Sequence, residues 1–180
     1  MSDKKTLFDA IDAQRDVLCS MADQIFDHPE YEGEEVFASG LLTDYLRANG
    51  FEVEMGVGGF KTAFRATYKR GEGGPKLGIL CEYDALRNLG HGCGHHMQGP
   101  GCLGAAVALK NMDGAEPFEL IIYGTPAEET FGSKVQMLER GCFRELDVAF
   151  MMHGGPNTCT DVKCLAQKSF NVTFHGKRAH

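Results

Sequence analysis

The chain of 180 residues has a net charge of −7, with 43% hydrophobic and 24% charged residues, a composition typical of a globular domain. The negative charge argues against nucleic acid or an anionic membrane surface as the main partner. No run of roughly 18 apolar residues and no apolar N-terminal segment is present, so we expect a cytoplasmic protein without a membrane span or a secretory signal. The seven cysteines form no C-x-x-C pair, and their odd number favours free thiols.

The first part of the chain predicts two helices followed by two strands. Apolar residues recur at helical spacing in two stretches, the first ended by Pro29 and the second by Gly50. Alternation of apolar and polar residues then predicts two strands. The predicted helices cover 6–27 and 34–49, and the predicted strands cover 51–55 and 61–68.

The second part alternates between strands and helices. Short apolar runs predict buried strands at 77–81, 118–123 and 148–152, and helices are predicted at 99–110 and 133–140. A last alternating stretch at 167–174 predicts one further strand. This order of elements predicts an α/β layered domain with a mostly parallel central sheet flanked by helices.

Potential metal ligands or acids follow each of the three buried strands. Glu82 and Asp84 follow the first strand, Glu128 and Glu129 the second, and His153 the third. In parallel sheets ligands bind beyond the carboxyl ends of the strands. We therefore expect these side chains to meet at one edge of the sheet.

The segment from Asp84 to His96, which reads D-A-L-R-N-L-G-H-G-C-G-H-H, adds softer ligands to that edge. Cys93 and His95 lie two residues apart, so in an extended segment both side chains leave the same side of the backbone. A thiolate and an imidazole that converge are a pair that a divalent metal such as zinc selects. The simpler alternative is a glycine-rich turn that carries a buried structural cysteine and surface histidines.

The adjacent carboxylates Glu128 and Glu129 favour a division of roles. One can bind a metal while the other holds a proton near the attacking water. The alternative is a solvated acidic pair that opens a helix, and His153 could equally be an ordinary histidine at a strand end. Together with Cys93 and His95, these residues offer more donors than one tetrahedral zinc needs, which points to two metal ions.

Three motifs together resemble those of a family of dinuclear metallopeptidases that includes aminoacylases and glutamate-releasing carboxypeptidases. The motifs are H-G-C-G-H at 91–95, G-T-P-A-E-E at 124–129 and Met-His at 152–153. The resemblance is greatest to the amidohydrolase branch, with its aminobenzoyl-glutamate hydrolases, hippurate hydrolases and β-alanyl-lysine-type dipeptidases. It implies a zinc-peptidase-like layered domain.

The resemblance also implies a role for each site residue. The implied ligands of two divalent ions, zinc or manganese, are Cys93, His95, Glu129 and His153. Glu128 would be the general base, and Asp84 would orient the site. The implied reaction is hydrolysis of the amide bond of an N-acyl amino acid or a dipeptide by metal-activated water. The wider family often carries a ligand histidine two residues before this aspartate, and this chain has Glu82 there instead.

The end of the chain resembles the start of an inserted lid and dimerisation domain. The sequence G-K-R-A-H at 176–180 matches a motif whose histidine, here His180, stabilises the developing oxyanion, often in the partner subunit of a homodimer. We expect 1–162 to belong to the catalytic domain and 163–180 to begin the lid. Because the family also uses a later ligand histidine, we expect the 180 residues alone to be inactive.

Two other functions stay open on sequence grounds. A truncated relative could bind metal or a partner without catalysing a reaction. A thiol enzyme with Cys93 as nucleophile and a histidine as base is the other possibility. A chelator would leave such a thiol enzyme active but would inactivate a metal-dependent hydrolase.

Overall fold

A computed structural model describes residues 4–160, 162–163, 165–166, 168 and 170–180. In chain order the elements are α1 Lys4–Asp12, α2 Arg15–Asp27, α3 Val36–Ala48, β1 Glu52–Met55, a 3-10 turn Val57–Gly59, β2 Phe64–Arg70, β3 Lys76–Cys81, α4 His95–Lys110, β4 Phe118–Gly124, α5 Ser133–Glu139 and β5 Val148–Met151. None of the helices in this described part is both long enough and apolar enough to cross a bilayer.

The five strands form one sheet in the order β1-β2-β4-β3-β5. Strands β4, β3 and β5 are parallel, while β2 runs antiparallel to β1 and β4, so four of the five strands share one direction. The predicted α/β layered fold with a mostly parallel sheet is confirmed. The register pairs Cys81 with Gly124 and Leu80 with Met151, which brings the carboxyl ends of β3, β4 and β5 to the same edge.

The side chains of β4 divide the core between the two faces of the sheet, as the two-residue period of a strand requires. Leu120 and Ile122 pack into the larger cluster beneath α2, α3 and α4. Ile121 and Tyr123 face the opposite side, where they pack with Met137 of α5. Helix α4 therefore lies against the sheet, and its first turn lies at the edge where the three parallel strands end.

Two predicted helices have different boundaries in the structure. The predicted helix 6–27 is two helices, because the Gln14 side chain donates to the carbonyl of Ala10 while the Gln14 N–H donates to Ile11 instead. This switch interrupts the regular hydrogen-bond ladder. Helix α4 begins at His95 rather than at residue 99, directly after Gly94 in the left-handed region at φ 86°. The expectation that Cys93 and His95 share an extended segment is therefore wrong.

The strand predicted at 167–174 is also wrong for the residues that are described there. Residues 170–174 have no strand pairing, and Gln167 and Ser169 lie outside the described residues. A strand needs a neighbour to satisfy its backbone groups, and no described segment lies beside this stretch as a partner. The other predicted elements agree with the structure to within a few residues at each end.

Replacing Gly124 by alanine tests how tightly the end of β4 packs. A Cβ atom there would lie 2.2 Å from the ring of Phe64, which is fully buried and stacks on Tyr83. We expect Gly124→Ala to lower the free energy of unfolding by about 1–3 kcal/mol through overpacking, measured by urea denaturation.

The matched control is Gly40→Ala in α3. Apart from the neighbouring residues and backbone of α3 itself, no described heavy atom lies within 4 Å of the Cβ that this change adds, and alanine is the better helix former by roughly 0.5–1 kcal/mol. Equal effects of the two substitutions on stability would contradict the packing described at Gly124.

Candidate metal centre

Asp84 joins the three segments that form the candidate site. It is 1% exposed and follows the end of β3. Its Oδ1 and its carbonyl oxygen each lie 3.1 Å from Nδ1 of His95 at the start of α4. Its Oδ2 accepts a hydrogen bond of 2.9 Å from the N–H of Glu129, after β4. One carboxylate thus fixes the relative positions of two strand ends and a helix start.

The same contacts determine which nitrogen of His95 is available. Because Nδ1 faces only acceptor oxygens of Asp84, it carries the proton, and in the neutral ring Nε2 is left with its lone pair. Burial by itself lowers the pKa of His95, but the hydrogen bond with Asp84 and the nearby carboxylates of Glu82 and Glu129 outweigh it and raise the pKa. The pKa of the Asp84 carboxyl shifts in the opposite direction. Burial raises this pKa, but the hydrogen bonds from His95 and the Glu129 N–H outweigh burial and lower it below its usual value.

The Nε2 atom of His95 is buried and has no hydrogen-bond partner among the described residues. Glu82 Oε2 lies 3.3 Å from it and Glu129 Oε1 lies 3.9 Å away, and Glu129 Oε1 also lacks a partner in the described structure. When the His95 ring is neutral, these atoms are all acceptors and face one another without a proton between them. An unsatisfied buried polar atom costs about 1–3 kcal/mol, and a cation placed between these acceptors would satisfy them. The donor set therefore fits a bound divalent metal.

A thiol and a second imidazole lie on the exposed side of His95. Cys93 Sγ is 3.7 Å from Nε2 of His153, and the ligand atoms of Cys93, His95 and His153 all lie within 4.8 Å of one another. The Nδ1 atom of His153 lies 2.8 Å from the carbonyl oxygen of Gly154, so Nδ1 carries the proton and Nε2 faces the site.

A second group of ligand atoms lies on the buried side. It consists of Glu82, His95 and Glu128, again with all atoms within 4.8 Å of one another. His95 belongs to both groups, so the two groups adjoin at its Nε2 atom, which can bind one ion. Burial, followed by the charge of Glu82, raises the pKa of Glu128, so this half-buried carboxyl differs from a solvated acidic residue.

The structure brings most of the predicted site residues together. Those that gather around the Nε2 atom of His95 are Cys93, Glu128, Glu129 and His153, with Asp84 on the other side of the ring. His180 is exposed, and no hydrogen bond or ion pair between described residues joins it to this group. The chain turns into α4 at Gly94. This turn, rather than an extended segment, brings Cys93 and His95 together.

Two residues of the site were not predicted from the sequence. Gln98, 2% exposed, lies one turn after His95 on α4, and its spacing could have placed it beside that residue. Lys134, near the start of α5, contacts Glu82, and nothing in the sequence pattern indicates that contact. Glu82 itself was expected only as one of the acids at the strand ends.

The environment of Cys93 argues against the thiol-enzyme alternative. Burial, followed by the hydrogen bond and charge of Glu129 and the charge of Glu128, raises the pKa of the Cys93 thiol to about 12. Reactive cysteines have lowered pKa values in electropositive surroundings. A thiol among carboxylates is instead suited to bind a divalent metal ion as a thiolate, with release of its proton to solvent.

The remaining histidines of the motif face away from this centre. His91 is 5% exposed, and its ring lies 6.4 Å from that of Phe26 in α2 and 5.3 Å from that of His96. Burial, then the neighbouring His96, lowers the pKa of His91 to about 4, so it is neutral near pH 7. Neither His91 nor His96 belongs to a ligand group of the described residues, and both pack the loop against α2.

The chain is similar in sequence to curated proteins that are longer than it is. The chain is 34% identical over 189 residues to the Xaa-Arg dipeptidase of Mus musculus, which covers 98% of this chain and 44% of that protein. It is 35% identical over 196 residues to one of the subunits of the p-aminobenzoyl-glutamate hydrolase of Escherichia coli (strain K12), covering 96% of this chain and 40% of the relative. The chain thus spans less than half the length of these curated relatives.

Solved structures share the fold. A dinuclear metal-binding peptidase of the M20 family from Bacillus subtilis superposes with a TM-score of 0.70 at 24% identity, over 81% of this chain and 44% of that one. An aminobenzoyl-glutamate utilization protein from Klebsiella pneumoniae gives a TM-score of 0.70 at 18% identity, over 83% and 46%. Residues 80–176, more than half of the chain and all of the gathered ligands, match one family. The chain belongs to peptidase family M20/M25/M40.

Proposed function

We propose that the full-length protein is a metal-dependent amidohydrolase that cleaves the amide bond of an N-acyl amino acid or a dipeptide. The observation that carries the proposal is the buried Nε2 atom of His95, which faces carboxylate oxygens without a hydrogen-bond partner among the described residues. The names of the relatives, Xaa-Arg dipeptidase and p-aminobenzoyl-glutamate hydrolase, support a dipeptide or an acyl-glutamate as the type of substrate.

The residues that would hold two divalent ions are Cys93, His95, Glu129 and His153. The ions would polarise the scissile carbonyl and bring the pKa of bound water to roughly 7. The thiolate and imidazole donors favour zinc, while the carboxylates also suit manganese.

Glu128 is the proposed general base. Its half-buried carboxyl lies beside His95, and burial together with the charge of Glu82 raises its pKa, which brings it closer to the working pH of a base catalyst. The Glu128 carboxylate accepts a proton from the attacking water and returns it to the leaving amine. Asp84 keeps His95 in the tautomer whose Nε2 faces the ions.

We extend the proposal to a cytoplasmic homodimer in which His180 acts in the partner's site. The described cysteines form no disulfide, which supports a reducing compartment. The sequence G-K-R-A-H at 176–180 resembles the family motif with an oxyanion-stabilising histidine.

Glu128→Ala in the full-length protein separates catalysis from metal binding. We expect the metal content to stay unchanged. We expect kcat to fall by about 10²–10⁴-fold, because the proton acceptor is lost. The substrates to assay are N-acyl amino acids and dipeptides, including an Xaa-Arg dipeptide and p-aminobenzoyl-glutamate.

The control for that experiment is Glu139→Ala, which changes an exposed glutamate at the end of α5 and should leave kcat unaltered. Near-wild-type turnover by the Glu128 variant would refute the mechanism. A wild-type protein that retains metal but hydrolyses none of these substrates would instead favour a non-catalytic metal-binding protein.

Asp84→Asn tests how His95 is held. An asparagine cannot accept hydrogen bonds from both the His95 ring and the Glu129 N–H in the present arrangement. We expect zinc affinity to fall by about 10–100-fold, measured by competition with a coloured chelator. Asp44→Asn, at an exposed ion pair with Arg47, should keep the wild-type affinity, and equal affinity in both variants would contradict the role of Asp84.

Mixed dimers test the action of His180 in trans. We expect the His180→Ala protein to lose about 10²–10³-fold in kcat, as other enzymes do on loss of an oxyanion donor, with no change in metal content. Subunit exchange between His180→Ala and Glu128→Ala proteins should restore activity that neither parent has. A mixture that stays inactive although mixed dimers form would contradict a contribution from the partner subunit.

A further inference from the structure

We propose that Glu82 is an additional metal ligand of this centre, held in position by Lys134 and Gln98. The inference rests on the proposed function, since it concerns the same pair of ions. It adds a carboxylate to the four ligands that the resemblance implies, at a position where the wider family often has a histidine.

The two oxygens of the Glu82 carboxylate have different surroundings. Glu82 is 1% exposed. Its Oε1 accepts a hydrogen bond from the Lys134 ammonium. Its Oε2 accepts one from Gln98 Nε2 at 2.9 Å and faces the Nε2 atoms of His95 at 3.3 Å and of His153 at 4.0 Å. One oxygen is thus neutralised by a protein cation, and the other faces the two imidazoles.

Glu82 Oε2 and the two histidine Nε2 atoms that face it are all hydrogen-bond acceptors when the rings are neutral. Both histidines direct Nδ1 toward acceptor oxygens, so in the neutral rings both Nε2 atoms carry lone pairs. A tetrahedral ion with metal–ligand distances of about 2.0–2.2 Å separates its ligand atoms by about 3.3–3.6 Å. The 3.3 Å between Glu82 Oε2 and His95 Nε2 is the separation that a shared ion produces.

Gln98 fixes both the backbone and the side chain of Glu82. The Gln98 Oε1 accepts a hydrogen bond from the Glu82 N–H, and its Nε2 donates to the Glu82 carboxylate. Since Gln98 lies one turn after His95 on α4, the same helix positions both proposed ligands. A ligand preorganised in this way loses little conformational entropy when an ion binds.

The charges of the site also favour a ligand role. The carboxyl groups that surround the His95 ring are those of Glu82, Asp84, Glu128 and Glu129. Among the described residues, Lys134 supplies the ammonium that contacts this group. Carboxylates removed from water are destabilising unless cations compensate them. One ammonium leaves an excess of negative charge that two divalent ions would offset.

Glu82→Gln in the full-length protein tests the inference without an activity assay. Glutamine keeps the shape of the side chain but removes its charge and makes it a poor metal ligand. We expect the wild type to bind two zinc ions, and the variant to bind one of them at least about tenfold more weakly. Metal content by elemental analysis and affinity by chelator competition give this result, with circular dichroism as the check on folding.

The matched control is Glu145→Gln. Glu145 also pairs with a lysine, Lys76, but at the opposite end of β3, so both ions should bind with wild-type affinity. Wild-type affinity for both ions in the Glu82 variant would overturn the ligand role and leave the proposed function intact. Absence of metal from the wild type would overturn the proposed function itself.

A crystal structure of the zinc-loaded wild type decides the matter if the Glu82 variant does not fold. A Glu82 oxygen within about 2.0–2.2 Å of an ion, located by anomalous diffraction, would support the ligand role. Both oxygens beyond about 3 Å from every ion, with Glu82 paired only to Lys134 and Gln98, would overturn it.

Discussion

The contact between Asp84 and His95 is the interaction on which the candidate centre depends. It selects the tautomer of His95, directs the free Nε2 atom toward the carboxylates, and connects the start of α4 to the ends of β3 and β4. Without it, the imidazole could rotate and donate a hydrogen bond to Glu82, which would satisfy the acceptors without a metal ion. The buried aspartate therefore maintains a site that a cation completes.

The sheet supplies the rest of the geometry. Parallel β3, β4 and β5 end at one edge, so residues far apart in sequence meet there without long loops. The small-residue helix α4 approaches closely enough that a Cβ at Gly104 would lie 2.5 Å from Leu18 of α2. This contact fixes α4 against α2, and the separate packing of α4 on β3 and β4 places its first turn, with His95 and Gln98, at the strand ends.

The sequence allowed the fold and most of the candidate site to be predicted, because both depend on local patterns. Apolar runs marked β3, β4 and β5, and the acids and His153 that follow those runs meet as expected. The path of the chain at Cys93 was predicted wrongly, because a glycine-rich segment permits several backbone conformations and Gly94 adopts a left-handed one. The contact between Lys134 and Glu82 was not predicted, because it arises only from the tertiary packing of α5.

The mixed donor set explains why competing functions fit less well. A thiol nucleophile needs positive surroundings, whereas carboxylates surround Cys93 and raise its pKa to about 12. A solvated acidic pair needs exposure, whereas Glu128 and Glu129 are both partly buried beside a histidine. Metal binding uses the thiol, the imidazoles and the carboxylates together without requiring a lowered thiol pKa.

The most direct test of this account is nitrogen NMR of the ¹⁵N-labelled His95 side chain in the full-length protein, recorded before and after zinc is added. At a pH above the raised pKa of His95, we predict a neutral ring with the proton on Nδ1 in the metal-free protein, and a change that is largest at the Nε2 resonance when zinc binds. A proton on Nε2, or an Nε2 resonance that zinc leaves unchanged, would contradict the central claim.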